Sequence, residues 1–80
     1  MEDVIELIKA CEKFKNGRFG VDDLSRMLSQ IAVPDELKSL VSNAEYSLER
    51  IRFLVSDSEQ YPEVMKIVNE ILEKATKLLP

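Results

Sequence analysis

The sequence predicts an all-α fold, a compact four-helix bundle made of two helical hairpins. Three observations carry this expectation. Four segments repeat apolar residues every three or four positions, the connections between them are short, and no β-branched run alternates with period two. Short connections favour antiparallel neighbours. The first two segments therefore pair as one hairpin and the last two as a longer one.

The first segment spans about Glu2 to Asn16. Val4, Ile8, Cys11 and Phe14 form its stripe, widened by Ile5 and Leu7. Glu2, Asp3 and Glu6 lie early and Lys13 and Lys15 lie late, an order that complements the helix dipole. Asn16-Gly17 stops it, with Gly17 as the left-handed residue. The second segment runs from about Asp22 to Ala32. Asp22 is placed to cap its first turn, and Val21 just outside it to form a hydrophobic staple. Leu24, Leu28 and Ile31 make the stripe with Met27 beside it, and Val33-Pro34 ends the helix, because the residue before proline avoids the α region.

The third segment, about Asp35 to Ser56, carries the longest periodic signal. Leu37, Val41, Ala44, Leu48, Ile51 and Val55 recur at spacings of 4, 3, 4, 3 and 4, the pattern of a helix-packing seam, with Leu40 and Leu54 broadening one side. The fourth segment is expected from about Pro62 to Leu78, with Pro62 in the first turn where its missing N–H costs little. Val64, Val68, Ile71, Ala75 and Leu78 form its stripe, flanked by Ile67, Leu72 and Leu79; Lys74 and Lys77 suit its C-terminal end.

Eighty residues with 45 % apolar and 32 % charged side chains describe one globular domain, 1–80, with a charged surface. The net charge of −4 and the lack of a basic run argue against nucleic-acid binding, which relies on lysine and arginine to neutralise phosphates. The apolar run Val4 to Cys11 is broken by Glu6 and Lys9 and preceded by acids, which is unlike a signal peptide. No charge-free stretch approaches the ~20 residues of a membrane span. A cytoplasmic protein without a membrane role is expected. A single cysteine fits that compartment and excludes an intrachain disulfide or a cysteine-based zinc cluster. With no histidine in the chain, Cys11 cannot form a Cys–His nucleophile pair, and it reads as a small buried apolar residue.

The usual catalytic and metal motifs do not fit. Glu12 to Asp23 can be laid on a twelve-residue calcium loop with Gly17 at its sixth position, but Phe14 then stands where an oxygen ligand is required and Asp23 where a bidentate Glu is needed. The segment reads instead as a corner whose Phe14 and Phe19 plug the core. The pairs Asp22-Asp23 and Asp35-Glu36 sit at helix starts, where acids are favoured without any catalytic role. No metal, cofactor or enzymatic activity is expected.

The third helix carries the candidate binding residues. At about 100° per residue, Tyr46 and Phe53 fall nearly opposite the seam and share a face, with Glu49 between them and Ser42 and Arg50 near. Beyond them the chain continues through Asp57, Glu59, Tyr61 and Glu63. Aromatic anchors inside an acidic rim suit a hot spot for a basic protein partner. The alternative is a central third helix, with another helix covering Tyr46 or Phe53 and the acids merely solubilising a loop.

The run Phe14-Lys15-Asn16-Gly17-Arg18-Phe19, followed by Val21-Asp22-Asp23-Leu24, resembles small helical immunity proteins that bacteria make against their own toxins, of the colicin and contact-dependent-inhibition kinds. The resemblance covers about the first thirty residues; beyond them only size, acidity and helical character agree. It implies an acidic cytoplasmic protein that neutralises a basic nuclease domain by one-to-one masking. No contact residue carries over from it, so the binding set rests on the surface argument: Tyr46, Glu49, Phe53, Asp57, Glu59, Tyr61 and Glu63. The competing expectation is a structural or regulatory helical module that self-associates or binds a partner helix.

Overall fold

The computed structural model describes residues 2–79. They form four α-helices and no strand: α1 (Glu2–Lys15), α2 (Val21–Gln30), α3 (Asp35–Leu54) and α4 (Asp57–Thr76). Contacts run α1 to α2, α2 to α3, α3 to α4 and α4 back to α1, so the helices close a ring, with α2 also touching α4 across it. This is the four-helix bundle expected from the periodicity. Among the described residues no helix is long and apolar enough to cross a membrane.

One core joins all four helices. Val4, Leu7, Ala10, Cys11 and Phe14 come from α1; Leu24 and Leu28 from α2. Leu37, Val41, Ala44 and Leu48 come from α3, and Val64, Val68, Ile71 and Ala75 from α4. Each set repeats at three- and four-residue steps, which keeps it on one face. No buried polar or charged side chain occurs among the described residues, so the core is apolar throughout. On α1 the stripe differs from expectation. It turns on Leu7, fully buried, while Ile8 is half-buried and Ile5 lies 42 % exposed. Leu7 and Ile8 are adjacent apolar residues, and the helix can centre on only one. Ala10, also buried, completes the Leu7 face, and α1 packs most extensively against α4.

The α1–α2 corner is set by Gly17. Its φ of +80° is left-handed. The Gly17 amide donates to the Phe14 carbonyl (3.1 Å) and the Arg18 amide to the Lys13 carbonyl (2.8 Å). These are the two bonds of a Schellman motif. Phe14 is buried and Phe19 half-buried against the core, with the Lys13 ammonium 5.3 Å from the centre of the Phe19 ring. Helix α2 starts one residue earlier than predicted, so its cap is Gly20 and its third residue is Asp23. The Asp23 carboxylate accepts the Gly20 N–H at 3.0 Å. Glycine has no side chain to reciprocate, so only this half of a capping box exists. Asp23 therefore does the capping expected of Asp22, and the staple positions fall on Phe19 and Leu24, Val21 being the first helical residue. The helix ends at Gln30, with Ile31 already extended (ψ 129°), two residues short of the Ala32 expected.

The α3–α4 corner departs further from expectation. Helix α3 stops at Leu54, not Ser56, and α4 begins at Asp57, five residues before Pro62. Only Val55 and Ser56 connect them. The spacing Ser56-x-x-Glu59 is a helix-start signature, and Asp57 and Glu59 add negative charge to the first turn. The Gln60 side-chain amide donates to the Val55 carbonyl at 3.0 Å and clips the corner shut. Pro62 thus lies inside α4, where it denies the Ser58 carbonyl its i+4 partner; both residues are exposed, so that carbonyl is not buried unsatisfied. At its far end α4 stops at Thr76, short of the expected Leu78.

Leu48 and Ile71 are fully buried at the centre of this core. Leu48→Ala and Ile71→Ala should each lower stability by ~2–5 kcal/mol in denaturant melts, as deleted buried aliphatics do. Losses below about 0.5 kcal/mol at both positions would contradict the core described.

Candidate functional site

The described residues hold no cluster of histidine, cysteine or acidic side chains arranged to bind a metal ion. Cys11, the sole thiol, is buried and unpaired. Burial, and secondarily the neighbouring Glu12 carboxylate, push its pKa from 9.0 up to about 12. A thiol held in that state is a core residue and a poor nucleophile.

The informative surface is the outer side of α3. Its buried residues Leu37, Val41, Ala44 and Leu48 fix the inward direction. Tyr46 and Phe53 point almost directly away from it, 65 % and 79 % exposed. No other helix among the described residues covers them. Glu49 is exposed beside them, so these three expected site residues share one face. Two further residues complete it. Leu54 is 73 % exposed, not part of the buried seam as expected, because α3 ends there and α4 turns away beneath it. Arg50 stands with its guanidinium 6.0 Å from the centre of the Tyr46 ring, a cation–π distance. Tyr46 and Phe53 therefore form an aromatic ridge between Glu49 on one flank and Arg50 on the other, with Leu54 beyond Arg50 at the edge of the α3–α4 groove.

A groove lies along each flank of the ridge. Between α2 and α3 it is polar, of about 570 Å³, and crossed by an ion pair from Arg52 to Asp22 at 2.8 Å. Between α3 and α4 it is about 400 Å³, floored by Ile51, Val55 and Ile67 and edged by Arg50, Lys66 and Glu63. Both grooves are open to solvent.

The remaining expected site residues separate. Tyr61 and Glu63 lie on opposite flanks of the α4 stripe Val64, Val68, Ile71 and Ala75. Glu63 borders the α3–α4 groove and is 3.8 Å from Lys66. Tyr61 instead stacks on Phe14 of α1, ring centres 5.2 Å apart and planes 21° apart. It is a half-open lid on the core. Asp57 and Glu59 are exposed in the first turn of α4. The acidic rim is thus interleaved with Arg50, Arg52 and Lys66. The spacing of Leu54 suits the seam and so hides its place on the ridge; the sign available in the sequence is its position next to Phe53 at the end of the helical run.

Comparisons with protein families, characterised proteins and solved structures find no match.

Two outcomes follow from this geometry. The folded state holds the Cys11 proton more tightly than the unfolded chain. The stability from this is complete below about pH 9 and drains as pH rises towards about 12. Melts across that range should show wild type losing stability faster than Cys11→Ala; parallel curves would contradict the buried thiol. Separately, Tyr61→Ala should destabilise the chain by about 1–2 kcal/mol, losing an aromatic stack and its buried area. Phe53→Ala should change stability by less than about 0.5 kcal/mol, as an exposed residue does. A core-like loss at Phe53 would mean that the ridge is covered.

Proposed function

We propose that this chain acts by binding protein, and that the partner docks on the outer face of the C-terminal half of α3. One observation carries the reading: Phe53 and Leu54 stand 79 % and 73 % exposed beside Tyr46, on a bundle whose core is closed without them. Scattered exposed apolar residues are ordinary, but a contiguous aromatic and aliphatic ridge with polar flanks has the composition of an interaction site.

In its finer form, drawn from the resemblance of the Phe14–Leu24 corner, the proposal is an immunity protein. The chain neutralises a nuclease-type bacterial toxin in the cytoplasm by masking it. Tyr46, Phe53 and Leu54 are the desolvated anchors, while Glu49, Asp57, Glu59 and Glu63 steer a basic partner. Tyr61, stacked on Phe14 of α1, stands apart from this face. The second reading is a structural or regulatory module that pairs with itself or with a partner helix. It is favoured by the charges around the ridge, which nearly cancel: Glu49 against Arg50, Asp22 against Arg52, Glu63 against Lys66.

Binding kinetics with a toxin domain encoded beside this chain test the first form. Phe53→Ala should speed dissociation at least about tenfold. Glu59→Lys should slow association, more at low salt than at high salt. Wild-type kinetics for both variants would place the contact on another surface.

A further inference from the structure

We infer that the ridge of α3 pairs with the same ridge on a second copy of this chain, the two α3 helices lying side by side and pointing the same way. The inference rests on the reading that the outer face of α3 binds protein, and it names the occupant. What carries it is the placement of charge on either side of the ridge.

Tyr46 and Phe53 are seven residues apart, so they mark a stripe that repeats after two turns. Glu49 and Arg50 fall in the turn between them and straddle the stripe, the acid towards α2 and the base towards α4. A two-fold axis running along the helices makes a parallel pair, and each flank then faces the opposite flank of its copy. Glu49 of each chain meets Arg50 of the other, twice, while Tyr46 meets Tyr46 and Phe53 meets Phe53. A two-fold axis across the helices makes an antiparallel pair, and each flank then faces its own kind. With Tyr46 set against Phe53, Glu49 meets Glu49 and Arg50 meets Arg50. Like charges in contact are unfavourable, so the ridge is complementary to itself in the parallel sense only.

The grooves repeat the argument on a larger scale. An interface of ordinary size buries about 800 Å² per partner. The two aromatic side chains of the ridge, even with Leu54 beside them, do not supply this alone, so the flanking grooves must close with them. The α2–α3 groove carries three acids, Asp22, Glu45 and Glu49, against Arg26 and Arg52. The α3–α4 groove carries Arg50 and Lys66 against Glu63. One groove has an excess of negative charge and the other an excess of positive charge. In the parallel pair each closes on its opposite; in the antiparallel pair each closes on itself. A second copy therefore meets its complement on both sides.

Sedimentation equilibrium across a wide concentration range is the test, with four variants. Wild type should sediment as a monomer–dimer equilibrium. Phe53→Ala should raise the dissociation constant at least about tenfold. Glu49→Arg should weaken the dimer, because the new guanidinium faces Arg50 of the copy. Glu49→Arg combined with Arg50→Glu should restore it by exchanging the paired charges. Ser39→Cys reads the direction of pairing. Ser39 lies on the same ridge, and Cys11 is buried and does not compete for reagent. A short bis-maleimide should join two Ser39→Cys chains in the parallel dimer. In the antiparallel one these positions are about 30 Å apart along the helices, at 1.5 Å rise per residue. A monomer at every concentration overturns the self-pairing. It leaves the wider reading standing if Phe53→Ala also loses a protein partner that wild type holds. A dimer that Phe53→Ala leaves intact forms through another surface and overturns the self-pairing of the ridge. A dimer that the double charge exchange fails to restore, or that Ser39→Cys fails to cross-link, overturns the parallel arrangement.

Discussion

A chain of 80 residues with a single cysteine has no intrachain disulfide to brace it, and so little surface-to-volume advantage that burial of aliphatic side chains must supply most of its stability. Among the described residues fifteen are buried and do so, all apolar and drawn from all four helices. Each fully buried aliphatic of the Leu, Ile or Val type contributes roughly 1.5–3 kcal/mol, against a net stability for small domains of only about 5–15 kcal/mol. The rest of the architecture serves that burial. Gly17 turns α1 into α2 without exposing its stripe, and Gln60 clips α3 to α4 through the Val55 carbonyl. The ion pairs are surface pairs, mostly three or four residues apart within one helix, and add little. Arg52–Asp22 differs in joining two helices, beneath one edge of the ridge.

The same constraint explains which parts of the fold are legible in the sequence. Spacing of three and four residues is a direct record of one-sided burial, so the four helices and most of the core follow from it. On α3 the stripe Leu37, Val41, Ala44 and Leu48 is buried as its spacing predicts. The ends are less legible because they depend on corner geometry. Ile51 and Val55 continue the same spacing yet are only half-buried, since α3 runs out at Leu54 and the chain turns. Pro62 suits a helix start by its ring chemistry, but the Ser56-x-x-Glu59 spacing and the acids of the first turn begin α4 five residues earlier, and an exposed proline is tolerated there. At the α1–α2 corner Gly17 turns the chain as expected, whereas the capping role passes from Asp22 to Asp23 because the helix starts one residue sooner.

The candidate surface is half legible for a related reason. Helical angle alone places Tyr46, Glu49 and Phe53 on the far side of α3 from its core. It does not say whether another helix lies there, and the closed ring of four helices leaves that side open. Tyr61 cannot be placed by angle on α3, because it belongs to another helix. Its position three residues before Val64 puts it near the α4 stripe, where Phe14 of α1 meets it. Helical angle also places Arg50 near this face, whereas Leu54 joins the surface only once the end of α3 is known. What results is a helix with two contrasting faces: one completes the core, and the other presents aromatic side chains between balanced charges.

That division of labour predicts where the molecule responds to its own concentration. Amide resonances recorded while the protein is diluted from a concentrated solution report each residue's contacts separately. Shifts should concentrate on α3 between Ser42 and Leu54, with smaller changes at Asp22, Arg26, Glu63 and Lys66 in the flanking grooves, while the α1 resonances stay fixed. Concentration-dependent shifts on the exposed side of α1 with none along the Tyr46–Phe53 ridge would contradict it.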